Sequence, residues 1–166
     1  LEETYLKIIS AKTASLFAAA TKVGSILVNK ESKVKEALEF YGKNLGLTFQ
    51  IADDTLDYNS ELKFFGKKIG NDFYEGKITL PVILLYHKAN VKEKFELKEL
   101  FKKNERSEQE LKNVLLMIKN YNIISDCYTK AEHFINLASN SLSIFDESKE
   151  KEILKNLTSF SLERSY

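Results

Sequence analysis

The chain has 166 residues, of which 43% are hydrophobic and 30% are charged, and its formal net charge is +1. These values are typical of an ordinary globular protein and exclude a disordered or fibrous chain. The 25 basic and 24 acidic residues are interleaved and form no basic block. We therefore expect neither nucleic acid nor an acidic membrane surface to be the main partner.

The sequence begins at Leu1, in a segment that already has helical character, and we expect it to be part of a longer protein. Its apolar runs are far shorter than the roughly 20 residues that span a bilayer, so no transmembrane segment is expected. The single cysteine, Cys127, can form no internal disulfide, which favours a reducing, cytoplasmic location.

The first half of the chain predicts two long helices followed by a loop. Apolar and small residues at helical spacing predict one helix over residues 2–28 and a second over about 33–58. Gly42 and Gly46 interrupt the second pattern, which predicts that another backbone packs closely there. Residues 59–76 are rich in glycine and charge and predict a long loop, which in a compact helical protein is usually functional.

The second half predicts further helices. Pro81 suits the first turn of an apolar helix over 80–89, and Ser107 followed by Glu110 is the signature of a capping box. The remaining helices are expected near 122–145 and 147–163. Because no strand pattern, repeat or low-complexity segment occurs, the sequence predicts an all-α fold in one domain.

An acidic cluster lies near the end of the second helix. At 100° per residue, Gln50, Asp53, Asp54 and Asp57 fall within about 100° of one helical face. Crowded carboxylates repel one another, and Mg²⁺ relieves this while keeping waters and phosphate oxygens in its shell. A solvated acidic helix end is the alternative. Apolar flanks favour the metal hypothesis, because they place the cluster over a core: Leu47, Phe49, Ile51, Ala52 and Leu56.

The predicted loop carries glycines and lysines in the segment Gly66-Lys67-Lys68-Ile69-Gly70-Asn71-Asp72, followed by Glu75-Gly76-Lys77. Glycines allow a backbone to fold close to a ligand, and lysines are point charges for phosphate oxygens. Taken alone, such a segment is more often a solvated loop. Because it closely follows the aspartates, we interpret it as the other part of a metal–diphosphate site.

A third feature is Lys12-Thr13 within a helix of small residues. A lysine in a tightly packed helix either extends to solvent or points into a polar cavity. Taken alone, the small residues favour a close helix-packing face: Ala11, Ala14, Ser15, Ala18 and Ala19.

In this order the three features resemble the trans-isoprenyl (polyprenyl) diphosphate synthases, in particular the long-chain octaprenyl and decaprenyl types. The resemblance is carried by three segments: Lys12-Thr13-Ala14, Phe49-Gln50-x-x-Asp53-Asp54-x-x-Asp57, and Gly66-Lys67-x-x-Gly70-Asn71-Asp72-x-x-Glu75-Gly76-Lys77-x-Thr79-Leu80-Pro81. It implies that residues 1–166 are the C-terminal half of an isoprenoid-synthase-type helical bundle, with the second aspartate-rich motif at 53–57.

The resemblance also implies a function and site roles. The family condenses isopentenyl diphosphate with an allylic prenyl diphosphate to make a polyprenyl diphosphate of the quinone side-chain type. The second motif would ligate the Mg²⁺ that holds the allylic diphosphate: Asp53, Asp54 and Asp57. Two lysines would contact that diphosphate directly, Lys12 and Lys67, with support from Lys77 and Asp72. The reacting centre would be lined by Thr13 and Gln50.

The family's first aspartate-rich motif and its isopentenyl diphosphate-binding residues do not occur in this sequence. We therefore expect the chain to be inactive alone. In the family the usual state is a homodimer, and here a partner chain would carry the N-terminal half. Two alternatives stand beside this interpretation. One is a non-catalytic helical partner subunit or a remnant of a split synthase. The other is a di-metal helical bundle, whose Glu-x-x-His ligands the settings of His87 and His133 do not supply.

Overall fold

The computed structural model describes residues 1–59 and 69–163, the last two by their backbone alone. These residues form helices and no strand, which confirms the predicted all-α fold. A π-helical turn (Ser10–Ala14) separates the first two helices, and a 3-10 turn (Leu142–Ile144) follows the eighth. The helices are α1 (Glu2–Ile9), α2 (Ser15–Leu27), α3 (Ser32–Leu56), α4 (Asn71–Tyr74), α5 (Leu80–Lys88), α6 (Val91–Lys102), α7 (Glu108–Asn120), α8 (Ile123–Ser141) and α9 (Lys149–Glu163).

The chain divides into two compact units. Unit 1 comprises Leu1–Glu2 with Asp53–Tyr128, and unit 2 comprises Glu3–Ala52 with Thr129–Tyr166. Unit 2 therefore contains the π-helical turn and most of α3, whereas unit 1 contains the aspartates at the end of α3 and helices α4 to α7. The assignment of residues 1–166 to half of one synthase domain stays a prediction.

The core of unit 2 joins α3 to the helices near the C-terminus. Its buried members are Tyr41, Leu45, Ala138 and Leu142. The Tyr41 hydroxyl donates a hydrogen bond to the carbonyl of Leu154 at 2.8 Å. Burial also raises the pKa of Tyr41 to about 12, because a phenolate would be poorly solvated there. This hydroxyl therefore ties α9 to α3.

The two glycines of α3 lie where the preceding helical segment approaches it, as the sequence predicts. A Cβ at Gly46 would lie 2.6 Å from the Cα of Ala14, and a Cβ at Gly42 would collide with the carbonyl oxygen of Phe17. Both of these obstacles are backbone atoms of unit 2, so no change of side-chain rotamer can relieve the clash. Glycine at these positions lets two backbones pack at close range.

Helices α5 to α7 give unit 1 its core. Pro81 lies in the first turn of α5, as predicted, and most of this helix is buried, including Leu80, Ile83 and Leu85. The predicted capping box at the start of α7 is confirmed, because Ser107 and Glu110 each accept the other's backbone N–H. Asn90 and Glu93 form a second capping box, at the start of α6.

Two helices lie where the sequence analysis predicted none. Helix α6 follows α5 directly, and α4 lies inside the predicted 59–76 loop. The prediction that this whole span lacks regular structure is wrong for α4, whose four residues follow a left-handed Gly70 with φ of 84°. Within the described residues, no helix has the length and apolar character needed to cross a membrane.

Candidate functional site

The three aspartates of the 53–57 segment occupy three different environments. Asp53 is exposed, whereas Asp54 is only 6% exposed. Asp57 is half-buried and lies just beyond Leu56, the last residue of α3. Of the three carboxylates, that of Asp53 is the most open to a cation in solution.

Asp57 caps the amino end of α4. Its carboxylate accepts the backbone N–H of Asn71 at 3.1 Å and that of Asp72 at 2.8 Å, each on a separate oxygen. Its own carbonyl accepts the N–H of Gly70 at 2.8 Å. Two donors and the partial positive charge of exposed helical N–H groups stabilise a carboxylate at this position. The acidic segment and the turn that begins at Gly70 are thereby joined within unit 1.

Burial dominates the electrostatics of Asp57 and raises the pKa of its carboxyl, while the N–H groups of Asp72 and Asn71 oppose the rise. The neighbouring negative charge of Asp72 raises this pKa further. The ionised form of Asp57 is therefore held at some cost in this unit. A positive charge brought to the acidic segment would reduce that cost.

Gly70 fits its position for two reasons. Its φ of 84° is in the left-handed region, which side chains disfavour, and a Cβ there would lie 2.5 Å from the Leu111 side chain of α7. The backbone at Gly70, where α4 begins, therefore packs directly on α7. This contact and the Asp57 cap together define where the residues after Gly70 lie.

Lys77 follows α4 and forms an ion pair with Asp72, which lies within α4. The Lys77 ammonium is 3.1 Å from Asp72 Oδ1 and 2.6 Å from Glu75 Oε2. Hydrogen bonds to Glu75 and Asp72 raise the pKa of Lys77, so the side chain stays cationic at neutral pH. The structure thus brings the predicted substrate residues Asp72 and Lys77 together in an exposed ion pair.

The predicted pair Thr13 and Gln50 meets in unit 2. Thr13 lies in the π-helical turn, a rare local structure that is often found at functional sites. Its hydroxyl donates to the side-chain carbonyl oxygen of Gln50 at 2.7 Å. Lys12, next to it, is exposed, whereas Ala14 is fully buried. The helix-packing alternative therefore applies to Ala14 and Ala18, which are both buried, whereas Ala11, Ser15 and Ala19 are exposed.

Lys67 lies outside the described residues, and its predicted contact with diphosphate stays a prediction. Residues 1–59 and 69–163 contain no group of three His, Cys, Asp or Glu side chains placed to hold a metal ion by themselves. Mg²⁺ in phosphate-binding sites commonly takes one or two carboxylates and fills its shell with waters and substrate oxygens. The exposed carboxylate of Asp53, with Asp54 and Asp57 near it in the chain, fits that mode of binding.

The sequence analysis missed one residue that touches this turn. The guanidinium of Arg106, from the segment between α6 and α7, lies against Tyr74 and Gly76. No sequence pattern marks this residue, because it lies in a polar connecting segment about 30 positions from the turn.

Comparison with known proteins places these observations in a family. The sequence profile of the family described as Polyprenyl synthetase matches residues 1–118. This chain belongs to the polyprenyl synthetase family. It is 34% identical over 165 residues to a short chain isoprenyl diphosphate synthase of Methanothermobacter thermautotrophicus and 30% identical over 165 residues to an octaprenyl diphosphate synthase of Haemophilus influenzae. Each alignment covers 99% of this chain and 50% of the relative.

The fold agrees with this membership. A solved polyprenyl synthase from Caulobacter crescentus, crystallised with calcium and isoprenyl diphosphate, superposes with a TM-score of 0.91 at 34% identity. The superposition covers 100% of this chain and 51% of that structure. The predicted isoprenoid-synthase-type helical fold is thereby confirmed for this half. The chain spans about half the length of the curated relatives it matches.

Proposed function

We propose that this polyprenyl synthetase chain is the C-terminal half of a prenyltransferase that condenses isopentenyl diphosphate with an allylic prenyl diphosphate. The product would be a polyprenyl diphosphate of the quinone side-chain type. The observation that carries the proposal is the Asp57 cap, which joins the acidic segment to the Asp72–Lys77 turn within unit 1. Carboxylates for a divalent cation and a lysine for phosphate oxygens are the two parts that such a site needs.

Asp53, Asp54 and Asp57 are the residues that would hold Mg²⁺, with Asp53 as the exposed ligand. Bound Mg²⁺ supplies charge neutralisation to the diphosphate leaving group. Lys77 is cationic, and it is the described lysine of this turn that can neutralise further phosphate charge. Its pairing with Asp72 and Glu75 holds the ammonium at the turn until an anion competes for it. Lys12 and Lys67 are proposed to contact the same diphosphate, as the family resemblance implies.

Thr13 and Gln50 are proposed to line the reacting centre. Because the Thr13 hydroxyl donates its proton to Gln50, the lone pairs of the Thr13 oxygen face away from that bond. An oriented hydroxyl oxygen presents the negative end of its dipole. A fixed dipole of this kind stabilises a developing allylic cation without reorganisation. The Thr13–Gln50 hydrogen bond would therefore orient a catalytic group rather than only join two helices.

We further propose that the chain does not elongate prenyl diphosphates alone. The sequence carries one Asp-Asp-x-x-Asp motif, and the groups that would place isopentenyl diphosphate beside the allylic carbon are not among its motifs. Positioning of two reactants can contribute about 7–11 kcal/mol to catalysis. Activity is therefore proposed to need a chain or segment that carries the N-terminal half, in an assembly that in this family is a homodimer. A cytoplasmic location also stays a prediction.

A non-catalytic helical partner subunit is the alternative function. The presence of the family's motif residues in this half argues against it: Lys12, Gln50, Asp53, Asp54, Asp57 and Lys67. The two functions differ in one measurable property. The catalytic half binds diphosphate through Mg²⁺, whereas a purely structural subunit does not.

Calorimetric titration of the chain with inorganic diphosphate tests the site. We expect binding in the presence of Mg²⁺ and none in excess chelator. Asp53→Ala should abolish the Mg²⁺-dependent binding, since it removes the exposed carboxylate ligand. Asp146→Ala, which removes an exposed carboxylate in unit 2, should bind as the wild type does. Equal binding in chelator would contradict the metal-mediated model.

Stability distinguishes loss of a ligand from loss of the fold. Without metal, Asp53→Ala should unfold at the same temperature as the wild type or slightly above it, because a crowded exposed carboxylate has been removed. A large fall in melting temperature would show that Asp53 is structural.

The catalytic part of the proposal is tested by incorporation of labelled isopentenyl diphosphate into prenyl product. We expect none from the chain alone and clear incorporation when it is mixed with, or fused to, an N-terminal half that carries the first aspartate-rich motif. Elongation by residues 1–166 alone would show that the half-site described above is sufficient.

A further inference from the structure

The turn formed by residues 70–77, which carries Asp72 and Lys77, is held at both ends. Asp57 caps its amino end through the N–H groups of Asn71 and Asp72. At its carboxyl end, Arg106 Nη1 donates to the carbonyl of Tyr74, the last residue of α4, at 3.4 Å. The turn therefore has an anion at its amino end and a cation at its carboxyl end, the arrangement that helical dipoles favour.

The Arg106 side chain is itself fixed. Its Nη2 donates to the carbonyl of Phe101 at 3.1 Å, and its guanidinium lies 5.2 Å from the centre of the Phe101 ring. On another side it lies 6.0 Å from the ring of Phe73, which is fully buried in α4. Cation–π contacts with two rings that pack edge to face hold the planar group in one orientation.

Gly76 lets the turn pass against this guanidinium. Its φ is 73°, and a Cβ built there would lie 2.8 Å from Arg106 Nη2 and 3.0 Å from Nη1. The turn closes at the same place, because the N–H of Gly76 donates to Phe73 and that of Lys77 donates to Asp72. Arg106 thus lies against the backbone immediately before Lys77.

We propose that Arg106 is a positioning residue of the diphosphate site, which fixes the turn that presents Asp72 and Lys77 without touching the ligand itself. The inference rests on the proposed function for its ligand, but its contacts stand independently of it. Arginine suits the task because a planar fork of five donors can serve two carbonyls and stack on rings at once. A lysine has one compact ammonium and cannot do both.

Fixing the turn matters because it sets the average position of the Lys77 ammonium. A lysine ammonium on a four-carbon stem samples many positions, so its average position depends on the backbone that carries it. When the turn is fixed, the Lys77 ammonium keeps its distance of 3.1 Å from the Asp72 carboxylate. When it is loosened, phosphate binding must also order the turn, and the affinity falls.

The test measures two properties of the same variants, the Mg²⁺-dependent affinity for inorganic diphosphate and the hydrogen exchange of the Gly76 and Lys77 amides. We expect Arg106→Lys and Arg106→Ala to weaken the affinity by about 10-fold, as changes to partners of a binding group commonly do, and to speed exchange at both amides. Millimolar guanidinium ion should restore part of the affinity to Arg106→Ala. Lys102→Ala, which removes an exposed cation four positions before Arg106 that pairs with Glu99, is the matched control and should leave both properties unchanged.

Gly76→Ala approaches the same contact from the other side. Its added Cβ should displace the guanidinium, so its loss of affinity should be smaller in the Arg106→Ala background than in the wild type. Wild-type affinity in both Arg106 variants, at temperatures where they are folded, would overturn the proposal, and so would unchanged amide exchange in Arg106→Ala. If the wild type itself binds no diphosphate, the proposed function fails, and the exchange measurement still decides whether Arg106 holds the turn.

Discussion

The close approach of two backbones at Gly46 makes a sharp prediction about stability. A Cβ at this position would lie 2.6 Å from Ala14 Cα and 3.1 Å from Phe17 Cβ. Since ordinary van der Waals contact begins near 3.4 Å, Gly46→Ala requires the two helical segments of unit 2 to separate by about 0.8 Å. Backbone atoms cannot rotate away from the new methyl group, so the segments themselves must move.

The free energy of unfolding can be estimated from two opposing effects. Overpacking of a tight contact costs about 1–3 kcal/mol, and contact with backbone favours the upper end. Replacing glycine in a helix interior by alanine returns about 1 kcal/mol. We therefore expect Gly46→Ala to lower the unfolding free energy by about 2 kcal/mol. The same movement would stretch the 2.7 Å bond between Thr13 and Gln50 towards the limit of a hydrogen bond.

Gly24→Ala is the matched control. Gly24 lies within α2, and a Cβ there would meet nothing within 4 Å, so only the gain in helix propensity remains. For a chain of this length, 1 kcal/mol corresponds to about 2–4 °C in melting temperature. Circular dichroism melts should show a fall of about 4–8 °C for Gly46→Ala and a rise of about 2–4 °C for Gly24→Ala. A gain in stability for Gly46→Ala equal to that of the control would refute the reasoning.

Two further predictions concern titrating groups. Hydrogen bonds from Lys103 and the Ser107 N–H lower the pKa of Glu110 to about 2, below its ordinary 4.5, so the stability that it contributes is present above pH 4.5 and is lost as the pH falls towards 2. Urea unfolding across this range should show a flatter acid limb for Glu110→Gln, and an unchanged limb would contradict the role of the capping box. Burial raises the pKa of the Cys127 thiol to about 12, so iodoacetamide at pH 8 should modify it only after urea unfolds the chain, whereas rapid alkylation of the folded chain would show that the thiol is accessible.

Local patterns predicted much of the fold because local physics determines those parts. The capping box at Ser107 and the proline in the first turn of α5 each follow from a few neighbouring residues. The start of α6 could also have been predicted, since Asn90 and Glu93 have the spacing of a capping box. Helix α4 could not, because four residues are too short for a periodic pattern and its cap comes from Asp57.

In the candidate site, local sequence patterns predict less. The spacing of Asp53, Asp54 and Asp57 predicts an acidic segment at the end of α3, but it does not predict that Asp57 accepts the N–H of Asn71, which lies 14 positions further along the chain. That return of the chain is a tertiary event, and no local pattern encodes it. The motif therefore identifies the acidic segment without assigning its members. Asp53 is the most exposed of the three proposed Mg²⁺ ligands, whereas Asp57 also sets the position of the turn. A change at Asp57 should weaken diphosphate binding by releasing the Asp72 amide, which hydrogen exchange would detect, whereas a change at Asp53 should weaken it with that amide still protected.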